Sequence, residues 1–511
     1  MLSSGNLGVG VGLDVLWRLN AAEADLATTW SFAAYAQANG GALPGPWADL
    51  SRTGLGTRVD ASDLVGYGPH NLLPDASGVQ SWAVSGSASG SATFTNTTDA
   101  EGRPALRVQI AETTGYVYLQ SPVITTAASV DTRAGLFVTG TVTGASAAAG
   151  VGDTSHGNYT SILGTSNGWV EGGVINVAST SHRVGFYIYC AAGVVVDITV
   201  SAGSFRLLPS PAPAEQYVYT TGAARYLPRV NYSGGAARGL LIEGQTTNLW
   251  LNSATPATQS FTTTAQTYTL SVYGTVTIAL SGTASGTLTA TGAAGVRSTL
   301  TFTATASTLT ATVSGLTTGS KAQLEAGTAA TSYIPTVGSA VVRAGDFAGV
   351  FLTSSALSAA FPGGVGQPWT TVFQYRKGYS VSSDETLFAL SAGASAGGTN
   401  LLALQTNGTQ AQLVHSGGSG TLTGTLVHDG STVNKIAVSV DPVSGKVSVS
   451  VNGAASVETT GIAYTGSGTT HLIPGARTTG GSTPVLGMEI YDWRNGPSSY
   501  ITGASLQALS A

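Results

Sequence analysis

Polar and apolar positions alternate with period two along most of the chain. From about residue 254, "QTYTLSVYG", "TVTIALSG", "STLTFTATA" and "TLTATVSGL" set Thr or Ser between Leu, Ile, Val and Tyr. Such a strand buries one face and wets the other, the mark of an antiparallel sheet. From about residue 67, "ALRVQIAE", "AGLFVTGTVTG", "RVGFYIYCA" and "VVVDITVSAGSFRLL" are β-branched runs broken by Gly and Ser. Their spacing predicts a β-sandwich. A third series starts near 350 with "PWTTVFQYRKG", "ETLFALSAG", "NLLALQTNG" and "PVLGMEIYDWRNG". Within it, "IAVSVDPVSGKVSVSVNG" reads as a hairpin turning at Asp441, Pro442 and Gly445. Only residues 12–40 look helical. The expected fold class is all-β, with tandem β-sandwich (jelly-roll) modules. The expected divisions are an attachment segment over 1–66, a first sandwich over 67–228, a connector and second sandwich over 229–347, and a third sandwich over 348–511.

The junctions repeat. "GLLIEGQTTNLWLNS" (Gly239–Ser253) has a weaker copy near residue 70, "GYGPHNLLPDAS". "QYVYTTGAARYLPRVNY" closes the first sandwich and "SYIPTVGSAVVRAGDF" the second, each running from Tyr through Thr, Gly and Ala to Arg. This is an internal repeat, with Arg58, Arg229 and Arg343 at corresponding places. Arg58, Arg229, Arg238, Glu243, Glu325 and Arg343 are read as inter-module groups whose ion pairs hold successive modules in line.

Composition sharpens the picture. Only 9% of the 511 residues are charged, against about 25% in ordinary globular proteins. With 69 Gly and few Glu or Lys, long exposed helices are not expected. The 42% hydrophobic fraction is enough for real cores. A net charge of −5 without a basic stripe argues against a nucleic-acid binder, and none is expected as a partner. No apolar run approaches membrane-spanning length, so no membrane insertion is expected. The N-terminus shows no signal-peptide pattern. The single cysteine, Cys190, is expected as a buried strand thiol.

Two resemblances follow from these motifs. "ARYLPRVNYSGGAARGLLIEGQTTNLWLNS" with "AQLEAGTAATSYIPTVGSAVVRAGDF" resembles the head-spike or head-fibre module of tailed phages and gene transfer agents. The likeness covers 225–347 closely and 58–229 loosely. The C-terminal third is similar to a concanavalin A-like (laminin G-like) jelly roll, on "WTTVFQYR", "NLLALQTNG" and "MEIYDWRNGPSSY". That similarity implies two curved sheets and, commonly, sugar binding. Many such lectins hold calcium with clustered Asp and Asn, whereas Asp429, Asp441 and Asp492 are scattered. No metal and no cofactor are expected.

Catalytic motifs are sparse. "GTSNG" and "GASAG" fit G-x-S-x-G, but no helical pattern follows either, as a nucleophile elbow requires. The six histidines show no H-x-H or H-x-x-x-H spacing. No carboxylate pair stands out for glycan hydrolysis. Aromatics are the remaining lead, since sugar faces stack on exposed rings. Trp369, Tyr375, Tyr379 and Trp493 are the carbohydrate-binding candidates. Strand alternation in "MEIYDWRNG" would put Tyr491 and Trp493 on one face with Glu489, opposite Ile490 and Asp492.

The resulting expectation is a non-enzymatic virion fibre or spike protein, on the head or tail of a phage-like particle. It would adhere to host cell-surface polysaccharide through residues 348–511. Its partners would be a capsid or tail protein, reached through the N-terminus, and two further copies in a homotrimer. The alternatives are a tailspike-like polysaccharide depolymerase and a secreted bacterial adhesin.

Overall fold

In the Pro104–Ala111 strand, Leu106, Val108 and Ile110 are buried while Arg107 faces solvent. The same alternation builds the rest of the molecule. The computed structural model describes residues 28–38, 52, 54–74, 78–88, 91–111, 114–144, 148–213, 217–292, 296–346, 361, 363–379, 384–392, 401–416, 418–421, 424–476, 487–496 and 500–511. The chain is all-β and consists of tandem sandwiches. Of the helix-like stretch 12–40, residues 12–27 and 39–40 lie outside the described residues. Thr28–Trp30 is a strand and Phe32–Ala38 a short helix.

The first sandwich faces two five-stranded antiparallel sheets. One runs Gly164–Glu171, Thr132–Thr143, Val195–Leu207, Pro104–Ala111, Ala92–Thr98. The other runs Asn158–Ser161, Ala148–Asp153, Val184–Cys190, Gly115–Gln120, Ala83–Ser85. Leu136, Val138 and Ile198 from one meet Val117, Leu119 and Phe186 from the other. A fully buried aliphatic side chain contributes about 1.5 to 3 kcal/mol. A one-residue slip would turn that face outward, so the core fixes the register. Cys190 is buried here, and burial pushes its thiol pKa up. The second sandwich pairs a four-stranded with a three-stranded sheet around Trp250, Leu270, Ile278, Leu309 and Leu324.

The third sandwich joins a five-stranded and an eight-stranded sheet. Its long Gly487–Gly496 strand pairs on one edge with Trp369–Arg376. On the other edge, Ala236–Glu243 takes the first half and Thr28–Trp30 the second. Thus the Arg229–Ser233 and Ala236–Glu243 hairpin, expected with the second sandwich, pairs into the sheet of the third. Its Val230, Tyr232, Leu240 and Ile242 share one core with Phe373, Phe388 and Trp493. The physical reason is that its inward side chains are apolar and the edge of Gly487–Gly496 would otherwise lie unpaired. Gly239 (φ +135°) permits the close approach, because a Cβ there would meet the Ile490 carbonyl oxygen at 2.3 Å.

The internal repeat is carried by asparagines. Asn71 Oδ1 accepts from Leu73 N (3.1 Å) and Phe205 N (2.9 Å), and its Nδ2 donates to Val218 O at 3.0 Å. Asn248 Oδ1 accepts from Trp250 N (3.0 Å) and Leu324 N (3.1 Å), and its Nδ2 donates to Ile334 O at 2.7 Å. In each sandwich the asparagine ties the entering strand to the last strand and to the residue after the closing tyrosine. Thr220 and Thr336 complete the match by donating to the carbonyls of Leu73 and Trp250. The arginines do not correspond as expected. Arg225 lies opposite Asn71 and Val341 opposite Asn248, so Arg343 answers to Leu227 and not to Arg229.

Candidate functional site

The Ala236–Glu243 strand ends in a buried charge cluster. Arg229, wholly buried, donates through Nη2 to Glu243 Oε2 (2.8 Å) and Asp346 Oδ2 (2.5 Å). Its Nη1 donates to Thr57 O (2.5 Å) and Ser332 Oγ (2.6 Å). One guanidinium therefore touches the segment before the first sandwich, the closing loop of the second, and a strand of the third. Glu243 accepts from Ser332 N and Ser332 Oγ, both at 2.6 Å. Arg343 lies 3.6 Å from Glu243 Oε2 and donates to Gly244 O at 2.8 Å. Arg52 stands 3.6 Å from Asp346 and donates to Leu227 O at 2.8 Å.

Burial alone would raise the Glu243 pKa, but Arg343 and Arg229, with Ser332, more than offset it and hold it at about 2. Burial and the neighbouring Arg229 push Arg52 down to about 9. Burial also opposes the charge on Arg229, yet Asp346 and Glu243 raise its pKa above the usual value. Three arginines face two carboxylates here, and removing any one partner would leave another buried charge less well matched.

The other inter-module groups divide. Arg238 sits at a bulge in its hairpin, where pairing shifts between Asn231 and Tyr232. The bulge aims it at Glu489 (2.7 Å), and it also donates to Gly430 O. Arg58 reaches Val230 O at 3.4 Å and lies over the Tyr232 ring. Glu325 works mainly within the second sandwich. It accepts from Thr331 N, Thr331 Oγ1 and Gln323 Nε2, each at 2.8 Å, with Arg297 3.8 Å away. Arg52 and Asp346 went unread in the sequence. Asp346, three residues after Arg343 in "RAGD", was the available signal.

Beside the cluster, where the second and third sandwiches meet, lies a cleft of about 320 Å³. Tyr273 and Arg297 come from the second, and Arg376, Tyr379 and Glu489 from the third. A neighbouring hollow of about 820 Å³ shares Asn231, Tyr273, Arg297 and Glu489 with it, so the two form one groove. Arg58, Arg238, Arg297, Arg376 and Lys377 stand along its walls with Asp63, Glu243 and Glu489, while Glu385 and Glu325 just behind the walls pair with Lys377 and Arg297. Glu489 is held by Arg238, by Asn231 Nδ2 (2.6 Å) and by Arg376 (3.5 Å). The groove is not confined to residues 348–511, where the binding surface was expected.

Of the four carbohydrate candidates, only Tyr379 lines the groove. Its hydroxyl donates to Glu385 Oε1 (2.7 Å) and accepts from Gly487 N (2.9 Å), while Lys377 Nζ lies 4.5 Å from its ring centre. Trp369, Tyr375 and Trp493 are at most 1% exposed and cannot stack on a sugar. Trp493 packs edge-on against Phe373 and donates to Thr371 Oγ1 at 2.9 Å. Trp369 packs on Phe361, and the Tyr375 hydroxyl meets His428 Nε2 at 3.0 Å. A β-bulge explains the misassigned face. Tyr375 pairs with Ile490 and Gln374 with Asp492, leaving Tyr491 unpaired. The alternation resets there, so Ile490 and Trp493 both face the core.

Away from the groove, Asp153, His156 and His182 of the first sandwich bring three metal-capable donors together among the described residues. The two histidines stand far apart in sequence, and within this trio only Asp153 and His156, in "DTSH", are closely spaced.

The fold and groove define an all-β protein of tandem sandwiches with a polar, tyrosine-bearing cleft at a module junction. No family model matches the chain, and no curated protein matches it. Solved structures similar to parts of it include the CBM40 module of Ruminococcus gnavus IT-sialidase bound to alpha2,3 sialyllactose. That likeness spans 32% of this chain and 91% of the module, at 12% identity and a TM-score of 0.27. The NanB sialidase from Streptococcus pneumoniae is similar over 32% of this chain and 26% of its own, at 17% identity and a TM-score of 0.26. At these scores the likeness says nothing of ligand or activity.

Proposed function

We propose that the protein binds carbohydrate without cleaving it, and that the groove at the module junction is its sugar site. The observation behind this reading is the convergence of Arg297, Arg376 and Tyr379 on one cleft. The positive charge of Arg297 and Arg376 attracts an acidic group even while their N–H groups are engaged within the protein, and Tyr379 offers the half-exposed part of its ring. The arginines gathered there, in a chain of net charge −5, favour an acidic polysaccharide over a neutral one. Glycoside cleavage needs two carboxyl groups free to act across the bond. Glu243 and Glu489 are instead engaged by arginines.

The protein would serve as a virion fibre or spike protein, a homotrimer attached through its N-terminus to a capsid or tail protein and adhering to host cell-surface polysaccharide. This placement rests on the ordered junction motifs over 225–347. A single shallow site would bind with a dissociation constant on the order of millimolar to micromolar, about −4 to −8 kcal/mol. Several copies would raise this through effective concentration.

The test uses the full chain, because the 229–243 hairpin belongs to the core of the third sandwich. Acidic and neutral bacterial polysaccharides are titrated against wild type, Arg376→Ala and Tyr379→Ala. Acidic glycans should bind, each variant should lose about tenfold, or about 1.4 kcal/mol, and no oligosaccharide should be released. Failure to bind any glycan, or equal binding by both variants, would overturn the groove assignment. A monomeric mass at micromolar concentration would overturn the trimer, and absence from purified virions the fibre.

A further inference from the structure

We propose that Asp153, His156 and His182 form a transition-metal site in the first sandwich, with Zn2+ the ion that fits. Strand register brings the three together. Asp153 ends the Ala148–Asp153 strand opposite Val184, which places His182, two residues earlier, beside it. His156 arrives from the turn that follows Asp153, where Gly157 N donates to Asp153 O at 3.0 Å. Both imidazoles direct Nδ1 at one carboxylate oxygen. His182 Nδ1 is 2.6 Å and His156 Nδ1 2.9 Å from Asp153 Oδ2. The other oxygen, Oδ1, is fixed by Ser155 N (2.9 Å) and Arg183 N (3.2 Å).

His182 is supported at both ring nitrogens. Thr126 Oγ1 lies 3.1 Å from His182 Nε2, and either atom can donate in that contact. On the other side, Nδ1 meets the Asp153 carboxylate at 2.6 Å as a hydrogen bond, whose proton a metal ion would replace. An outer partner that fixes the far nitrogen of a ligating histidine is also the usual support of a metal site.

Two imidazoles and a carboxylate suit Zn2+, which takes nitrogen at about 2.0–2.1 Å and carboxylate oxygen at about 2.0–2.2 Å. Tetrahedral placement sets ligand atoms about 3.3 Å apart, so each Nδ1 must withdraw from Asp153 Oδ2 by less than about 1 Å. His156 can supply that movement, since its side chain is 16% exposed while those of Asp153 and His182 are 0% and 2% exposed. The fourth position then opens on the His156 side, to a water. Binding displaces any proton held at the two Nδ1 atoms, and the ion clamps the 153–157 turn to the Ser181–His182 strand.

The test uses the full chain, stripped with a chelator that is then removed. Zn2+ is titrated in competition with a chromophoric chelator, and Co2+ is added separately as a spectroscopic probe. One ion per chain, tetrahedral Co2+ ligand-field bands and a raised Tm are expected, with no response to Ca2+ or Mg2+. His156→Ala, a half-buried position chosen because it should fold, should weaken Zn2+ by about 100-fold or more. No Zn2+ retained at micromolar concentration would overturn the site. So would equal affinity in wild type and His156→Ala, or a Co2+ spectrum of octahedral type only.

Discussion

The first and second sandwiches close in the same way but meet their neighbours differently. In each, a buried asparagine ties the entering strand to the last strand and to the residue after the closing tyrosine. Beyond that pin they diverge. The loop after Glu325 carries Ser332 into the cluster of Arg229, Glu243 and Asp346, so closing the second sandwich also docks it on the third. The corresponding segment of the first, around Tyr217–Leu227, meets the cluster at Arg52, through the carbonyls of Leu227 and Tyr226. The difference teaches that closing a module and docking it are separate problems. A neutral hydrogen-bonding side chain solves the first locally. A buried charge cluster solves the second, because mismatched docking would strand a charge.

Removing the shared cation should separate the two roles most sharply. Arg229→Ala leaves Glu243 and Asp346 buried without their main partner. A loss of about 3 to 5 kcal/mol is expected, read in denaturant as the second and third sandwiches unfolding apart. The first sandwich should keep its own transition. One unaltered cooperative transition would refute the docking role.

The pins provide the symmetric half of the comparison. Asn71→Ala and Asn248→Ala each orphan buried backbone groups, and each should cost about 3 kcal/mol. Because the two lie in different cores, the double variant should be additive within about 0.5 kcal/mol. A marked inequality between the single variants would break the equivalence.

Acid offers a gentler probe. The Glu243 pKa lies at about 2 in the folded chain, against about 4.3 unfolded. A depressed carboxylate pKa stabilises above the unfolded value, and that stability is lost as pH falls from about 4.3 through about 2. The loss should be on the order of 2 to 3 kcal/mol. Hydrogen exchange should show the Ser332 loop opening in this window before the segment around Val218. Simultaneous opening would mean that the cluster does not govern docking.

Period-two alternation was enough to read the all-β class and the series of strands, because burial of one strand face is a local property of sequence. Cys190, buried in its strand, was legible for the same reason. Several features needed the tertiary structure. One bulge at Tyr491 turned Trp493 into the core, and another at Arg238 aimed that side chain at Glu489. A bulge depends on the partner strand, which no local pattern contains. The 229–243 hairpin joined the third sandwich because the complementary edge lies about 250 residues further on, at Met488 and Ile490. Asp153 and His182 are 29 residues apart and meet only through strand pairing. Sequence alone determined which faces had to be buried. Which strand edges and distant polar atoms met was decided by long-range pairing, where the contacts that favour an arrangement exist only once it has formed.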